Sequence, residues 1–178
     1  GGMGPETPVS CNGYYKLGSH RFRCWRYRYG GHGAVAFKDA LKGSCDVYFY
    51  TAGMRAGIDQ VARMARSFGL GTATGAGINS EKGGLIPTEA WKLESGRGKW
   101  QKGDTPSAVI GQGYTLATPM GLCRMTATIA NGGTVYRPTL VDRVVGPEGD
   151  VVHETRPEVV GQTAAAPRVR APPQDALP

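Results

Sequence analysis

Cys11, Cys24, His32 and Cys45 stand in the order C-x12-C-x7-H-x12-C, and most of that span is the stretch "CNGYYKLGSHRFRCWRYRYGGHG". The stretch is dense in glycine, aromatics and arginine and carries no sustained helical period. Its aromatics, Tyr14, Tyr15, Phe22, Trp25, Tyr27 and Tyr29, suit short strands or stacking surfaces. A loop-rich segment without a large apolar core needs a staple, and cysteine and histidine are the candidates. The spacing is looser than the short knuckles of a zinc finger. Two readings of Cys45 are therefore open: a small buried core residue, or a zinc ligand with Cys11, Cys24 and His32. We favour the metal, because a structural zinc contributes folding free energy directly and four N or S donors leave no open position.

The chain has 178 residues, the size of one domain or of part of a larger one. Its formal charge of +7 favours contact with polyanions and says nothing about fold. No apolar run is long enough to cross a membrane, and "GGMGPETPVS" lacks the basic and apolar parts of a signal peptide. Residues 1–33 read as the loop-rich, zinc-stapled segment and 34–155 as the central, regular part. Residues 156–178 read as a disordered tail whose composition turns to alanine, proline and arginine from about Gly161.

Within the central part, "VAFKDALKG" predicts a short helix ending at Gly43, and Ser44 sits where an N-cap would sit ahead of "CDVYFYTAGMRAG". "IDQVARMARSFGLG" repeats Ile58, Val61, Ala62, Ala65 and Phe68 at helical spacing and stops at Gly69. Residues 71–105 read as loop, pinned by Trp91 and Trp100. Thr118 caps and Pro119 opens "MGLCRMTATIAN", whose apolar side is Met120, Leu122, Met125 and Ile129, with Cys123 a packed thiol. "TVYRPTLVDRVVGPEGDVVHE" predicts strands around a Pro-Glu-Gly turn. His20 and His153 read as surface residues, Asp104 as a cap or turn residue, and Gly111-Gln112-Gly113 is no phosphate loop because no G-K-[ST] follows.

The stretches "ALKGSCDVYFY", "GIDQVARMARSFGLG", "TGAGINSEKGGLIPT" and "GQGYTLATPMGLCRMTATIANGG" together resemble the transpeptidase domain of class B penicillin-binding proteins, above all the penicillin-binding protein 2 type of cell elongation. The resemblance runs in order over residues 9–155. It implies an α/β fold of the penicillin-binding protein and serine β-lactamase kind, helices packed on an antiparallel sheet, incomplete in this chain. It implies D,D-transpeptidation of peptidoglycan stem peptides and acylation by β-lactams. Elongation-machinery membrane proteins are the implied partners, and the periplasmic face of the bacterial inner membrane the implied location. Three motifs carry that chemistry: S-x-x-K, S-x-[ND] and K-[ST]-G. Ser44-Cys45-Asp46 matches the second, which implies a proton-relaying role for Ser44 and a positioning role for Asp46. The family's structural zinc implies His32 and Cys45 as ligands, with Cys24 and Cys11 standing where many members carry aspartates. A Cys11–Cys24 disulfide is the competing reading in an oxidising compartment.

The departure from the family pattern is specific. None of Ser10, Ser19, Ser44, Ser67, Ser80, Ser95 and Ser107 has lysine at the third following position, and no lysine precedes Thr-Gly or Ser-Gly. The chain therefore reads as an interior piece, inert alone, because acyl transfer needs a nucleophile and its base. A shifted reading frame downstream of Gly161 would explain both the missing K-[ST]-G and the tail composition. The alternative of another class is a small zinc-stapled module whose Lys16, Arg21, Arg23, Arg26 and Arg28 bind nucleic acid; a solvated face is the simpler account of that run, and no nucleic-acid partner is expected.

Overall fold

The computed structural model describes residues 3–163. The chain divides into two compact units, Gly1–Ala62 with Pro87–Thr115 and Arg63–Ile86 with Leu116–Pro178.

In the first unit, strand β1 (Val9–Cys11), hairpin β2 (Tyr14–Leu17) and β3 (His20–Arg23), and β4 (Gly33–Val35) precede helices α1 (Phe37–Lys42) and α2 (Asp46–Ala56). β1 pairs antiparallel with β4, matching Cys11 to Gly33, and β2 pairs with β3, matching Tyr14 to Arg23 and Lys16 to Arg21. Alternation along the hairpin turns Tyr15 and Phe22 inward, where both rings meet Tyr50 edge-on. The core gathers Val9, Val35, Ala40, Val47, Tyr48 and Tyr50 with the three cysteines Cys11, Cys24 and Cys45. Helix α2 is the central element, and its Gly53 lies against Val109 of α5 (Asp104–Val109).

Residues 71–105 hold more regular structure than the sequence suggests. α4 (Glu89–Glu94) and α5 are single helical turns and a half, too short to show a period. Thr88 Oγ1 accepts the Trp91 amide and so starts α4. Trp91 packs on the Tyr114 ring, and Trp100 donates through Nε1 to Thr105 Oγ1. The charged centre of this loop is an ion pair: Lys92 Nζ lies 2.6 Å from Asp104 Oδ2, with only 6% of the lysine side chain exposed.

Helix α3 (Ile58–Ser67) begins in the first unit and ends in the second. It closes as expected at Gly69, whose φ of +84° accompanies bonds from Gly69 N to Arg66 O and from Leu70 N to Ala65 O. The second unit continues with α6 (Pro119–Ala130), capped by Thr118 through a bond from the Gly121 amide. Two antiparallel ladders complete it, β5 (Thr134–Tyr136) with β8 (Val159–Gln162) and β6 (Arg143–Val145) with β7 (Val151–Glu154).

Two expectations change here. The buried face of α6 is Gly121, Arg124 and Thr128, not the face of Met120, Leu122, Met125 and Ile129, and Cys123 is exposed rather than packed. The reason is Arg124, whose guanidinium donates to the carbonyls of Gly69 and Thr74 and to Thr72 Oγ1 and so turns that face inward. Regular structure also runs on past residue 156, because Val159–Gln162 forms β8; residues 164–178 of the expected tail lie outside the described residues. The antiparallel sheet expected from the resemblance is present as four two-stranded ladders.

Candidate functional site

The turn between α1 and α2 carries the site. Cys45 N donates to Ala40 O at 2.8 Å and Ser44 N to Leu41 O at 3.2 Å, the paired bonds of a Schellman closure of α1. In that closure the residue one before the last takes a left-handed conformation that glycine usually supplies. Here it is Ser44, with φ of +48°. Ser44 therefore terminates α1 and does not cap α2, whose N-cap is Cys45. Three residues separate the two helices, and each has its own place in the turn: Gly43 is the C-cap of α1, Ser44 its left-handed closure and Cys45 the N-cap of α2. Among the described residues no hydrogen bond holds the exposed Ser44 side chain, and backbone strain of this kind is retained at functional sites.

Alternation along this turn sends the three residues of S-C-D to different places. Ser44 and Asp46 line a cleft of about 310 Å³ with Leu41, Phe49, Val109 and Ile110. Cys45 is fully buried on the other side, beside Cys11 and Cys24. Asp46 opens α2, where a carboxylate is stabilised by the positive end of the helix dipole. Its Oδ2 accepts the backbone N–H of Trp25 at 3.0 Å.

The sequence-predicted cluster does come together. The Sγ atoms of Cys11, Cys24 and Cys45 and a ring nitrogen of His32 all lie within 4.8 Å of one another. His32 Nδ1 is 3.6 Å from Cys11 Sγ and 3.4 Å from Cys24 Sγ. Its Nε2 is 3.0 Å from Gly43 O, a bond that requires the proton on Nε2 and leaves Nδ1 as a lone-pair donor facing the sulfurs. Ligands around a tetrahedral zinc with Zn–S of about 2.3 Å sit about 3.8 Å apart, so the donor set fits that ion in number, kind and size. Burial pushes the Cys45 thiol up to about 12 and also raises that of Cys24; a cation among the sulfurs would hold them as thiolates. The structure holds Cys11, Cys24 and Cys45 as buried, unbridged thiols and Cys123 as an exposed one.

Sequence reasoning missed Trp25. Its indole N–H donates to Gly43 O, the carbonyl that His32 Nε2 also reaches, and its ring meets His32 edge-on at 5.4 Å. Trp25 thus ties the cysteine and histidine cluster to the Ser44 turn. Its place directly after Cys24 in "RCW" was the available signal.

A turn that sends a serine and an aspartate to a cleft and a cysteine to a closed donor cluster belongs, with these ladders and helices, to the class of penicillin-recognising transpeptidase folds. The chain is a member of the penicillin binding protein transpeptidase domain family, whose model matches residues 1–170. It is 44% identical over 134 residues to the peptidoglycan D,D-transpeptidase MrdA of Acinetobacter baumannii, covering 74% of this chain and 20% of that protein. It is 37% identical over 144 residues to MrdA of Haemophilus influenzae, covering 80% of this chain and 22% of that protein. Among solved structures it matches the complex between the penicillin-binding protein PBP2 and MreC from Helicobacter pylori, with a TM-score of 0.79 at 28% identity, over 95% of this chain and 30% of that one. It matches Pseudomonas aeruginosa PBP2 with a TM-score of 0.73 at 34% identity, over 85% of this chain and 35% of that one. The chain therefore spans about a fifth of the length of the curated relatives it matches.

Proposed function

We propose that this chain is an interior portion of a peptidoglycan D,D-transpeptidase of the penicillin-binding protein 2 type. The observation that carries the reading is the placement of Ser44 and Asp46 on one cleft, in a chain whose family match covers residues 1–170. In the complete enzyme a serine of an S-x-x-K motif attacks the donor stem peptide and an acceptor amine then takes the acyl group. Ser44, with its hydroxyl unbonded at the cleft, passes protons between the nucleophile's lysine and the leaving or attacking amine. Asp46 is a positioning residue, because its carboxylate already holds the Trp25 amide and the start of α2.

Cys11, Cys24, His32 and Cys45 hold a structural zinc in this reading. The ion supplies folding free energy to residues 9–45, with no open position for chemistry. The relatives' peptidoglycan synthesis and the neighbour's complex with MreC support a place in the elongation machinery on the periplasmic face of the inner membrane, with β-lactams as acylating inhibitors. The basic run 16–28 belongs to a transpeptidase-family chain, which displaces the nucleic-acid module as an account of it.

The test is labelling with a fluorescent penicillin. The 178-residue chain stays unlabelled, and a longer chain that adds the S-x-x-K and K-[ST]-G segments is labelled, more slowly when it carries Ser44→Ala. Labelling of the 178-residue chain, or an unchanged rate in Ser44→Ala, overturns the assignment. Elemental analysis gives one zinc per chain, lost in Cys45→Ser; a chain without metal removes the zinc.

A further inference from the structure

The outer face of the β2–β3 hairpin and the turn that follows it form a cationic aromatic surface, and Trp25 is the residue that joins it to the cleft and the cysteine cluster. Lys16, Arg21, Arg23, Arg26 and Arg28 are all exposed, and no aspartate or glutamate occurs from Thr7 to Lys38. None of the five takes part in an ion pair among the described residues. Their charge is arranged on rings instead: the Arg21 guanidinium lies 4.6 Å from the Tyr14 ring centre and that of Arg23 4.7 Å from the Tyr27 ring centre. Arg28 donates through Nε to Tyr27 Oη at 2.9 Å. The Arg23 and Arg28 contacts on Tyr27 join the strand face to the turn; Arg28 keeps its two terminal NH2 groups for a carboxylate, and Arg26 is exposed beside it.

Two rings in this surface are open. Tyr29 is 76% exposed and Trp25 58% exposed. Trp25 is exposed without being free to move: its indole N–H is bound to Gly43 O and its backbone N–H to Asp46 Oδ2. A large apolar ring pinned at both ends and left facing water is a preorganised platform, since little rotamer freedom remains to be lost on binding. With both N–H groups used internally, it offers an apolar ring face rather than a donor. It also adjoins the residues that place Ser44 and Asp46.

We propose that this surface docks the polymeric substrate itself: an amino-sugar strand lies across Trp25 and Tyr29, and the carboxylates of its acidic peptides pair with Arg26 and Arg28. The inference rests on the transpeptidase reading, which sets an acidic, peptide-bearing glycan beside Ser44. The C–H faces of pyranose rings pack on flat aromatic faces, and stem-peptide carboxylates match a segment that supplies five cations and no acid, while the neighbouring Asp46 carboxylate is taken up by the Trp25 amide. Duplex nucleic acid would use the same charge, but a fixed indole beside the catalytic-motif turn favours the enzyme's own polymer.

The experiment is co-sedimentation of the 178-residue chain with protein-free peptidoglycan sacculi, at low and high NaCl, with duplex DNA and anionic vesicles as separate probes. Binding to sacculi falls as salt rises. Tyr29→Ala and the double variant Arg26→Glu/Arg28→Glu each weaken it five-fold or more. Tyr29 has no packing role, so its variant keeps the fold where Trp25→Ala would disturb the Ser44 turn. Sacculi whose peptides have been removed by an amidase lose the arginine dependence and keep the Tyr29 dependence. Equal binding by all variants, or binding of DNA or vesicles as tight as that of sacculi, overturns the proposal. Penicillin labelling of the longer chain is independent of this surface, so a failure of docking leaves the transpeptidase assignment standing, and a failure of labelling removes it separately.

Discussion

Replacing Ser44 by glycine should stabilise the chain and abolish the role assigned to the serine. Ser44 closes α1 at φ of +48°, a conformation that costs an L-residue about 1–2 kcal/mol. Glycine adopts it freely but loses more backbone freedom on folding, by about 0.5–1 kcal/mol. The Ser44 side chain is exposed and makes no hydrogen bond among the described residues, so its removal sacrifices none of those bonds. The balance is a gain of about 0.5–1 kcal/mol, which for a chain of this size is a rise in Tm of about 1–4 °C. Ser44→Ala is the control: it removes the hydroxyl and retains the strained backbone, so its stability matches the parent. Urea unfolding of the three chains measures the difference, and penicillin labelling of the longer chain carrying each variant measures the function. A Ser44→Gly chain less stable than Ser44→Ala would refute the reasoning, because the strain would then not exist.

Gly31 and Gly30 provide a second contrast. Both have positive φ, but a Cβ at Gly31 would fall on the Cys11 carbonyl and the Gly13 amide, whereas one at Gly30 meets nothing within 4 Å. Gly31→Ala therefore costs about 1–3 kcal/mol more than Gly30→Ala in urea unfolding and, under the proposed zinc assignment, lowers metal content by displacing Cys11. Asp104→Ala strands the buried Lys92 charge and costs about 3–5 kcal/mol by the same measurement, while Lys92→Met costs less because its chain still lies against Trp100 and Tyr114. The Glu81 carboxyl is held below the usual carboxylate range by the Thr74 hydroxyl, then by the amides of Thr74 and Gly75. Its support of that loop is thus present above the unfolded carboxyl's range, near pH 4–5, and is lost as pH falls through the lower folded value. The protection factors of the Thr74 and Gly75 amides, their exchange rates relative to unstructured amides at the same pH, should fall on acidification across that window, and Glu81→Gln should remove this pH dependence.

The longer helices α2, α3 and α6 were legible from their apolar residues, and the stop and cap residues Gly69 and Thr118 stand where local chemistry puts them. The four-donor set of Cys11, Cys24, His32 and Cys45 was legible because few other residues in its segment could order it. Which face of α6 turns inward was not legible. Apolar count favours Leu122 and Ile129, but the carbonyls around Gly69 and Thr74 require a donor, and Arg124 is the only side chain on the helix long enough to meet them. Short helices such as α4 and α5 escaped for want of a full period.

Sequence by itself determined the residue types at the site: a serine, a cysteine and an aspartate in a row, with three more sulfur and nitrogen donors upstream. Their division of labour was decided by tertiary structure. Adjacent residues in a tight turn project to different sides, and only the packing of α1 against α2 fixes that Ser44 and Asp46 meet the cleft while Cys45 meets Cys11, Cys24 and His32. The same packing moved Ser44 from an expected N-cap to the left-handed closure of α1, because Cys45 N and Ser44 N bond back to Ala40 and Leu41. Spacing encodes which groups a turn carries; the long-range contacts of Trp25 with Gly43 and Asp46, 18 and 21 residues away, decide where they point.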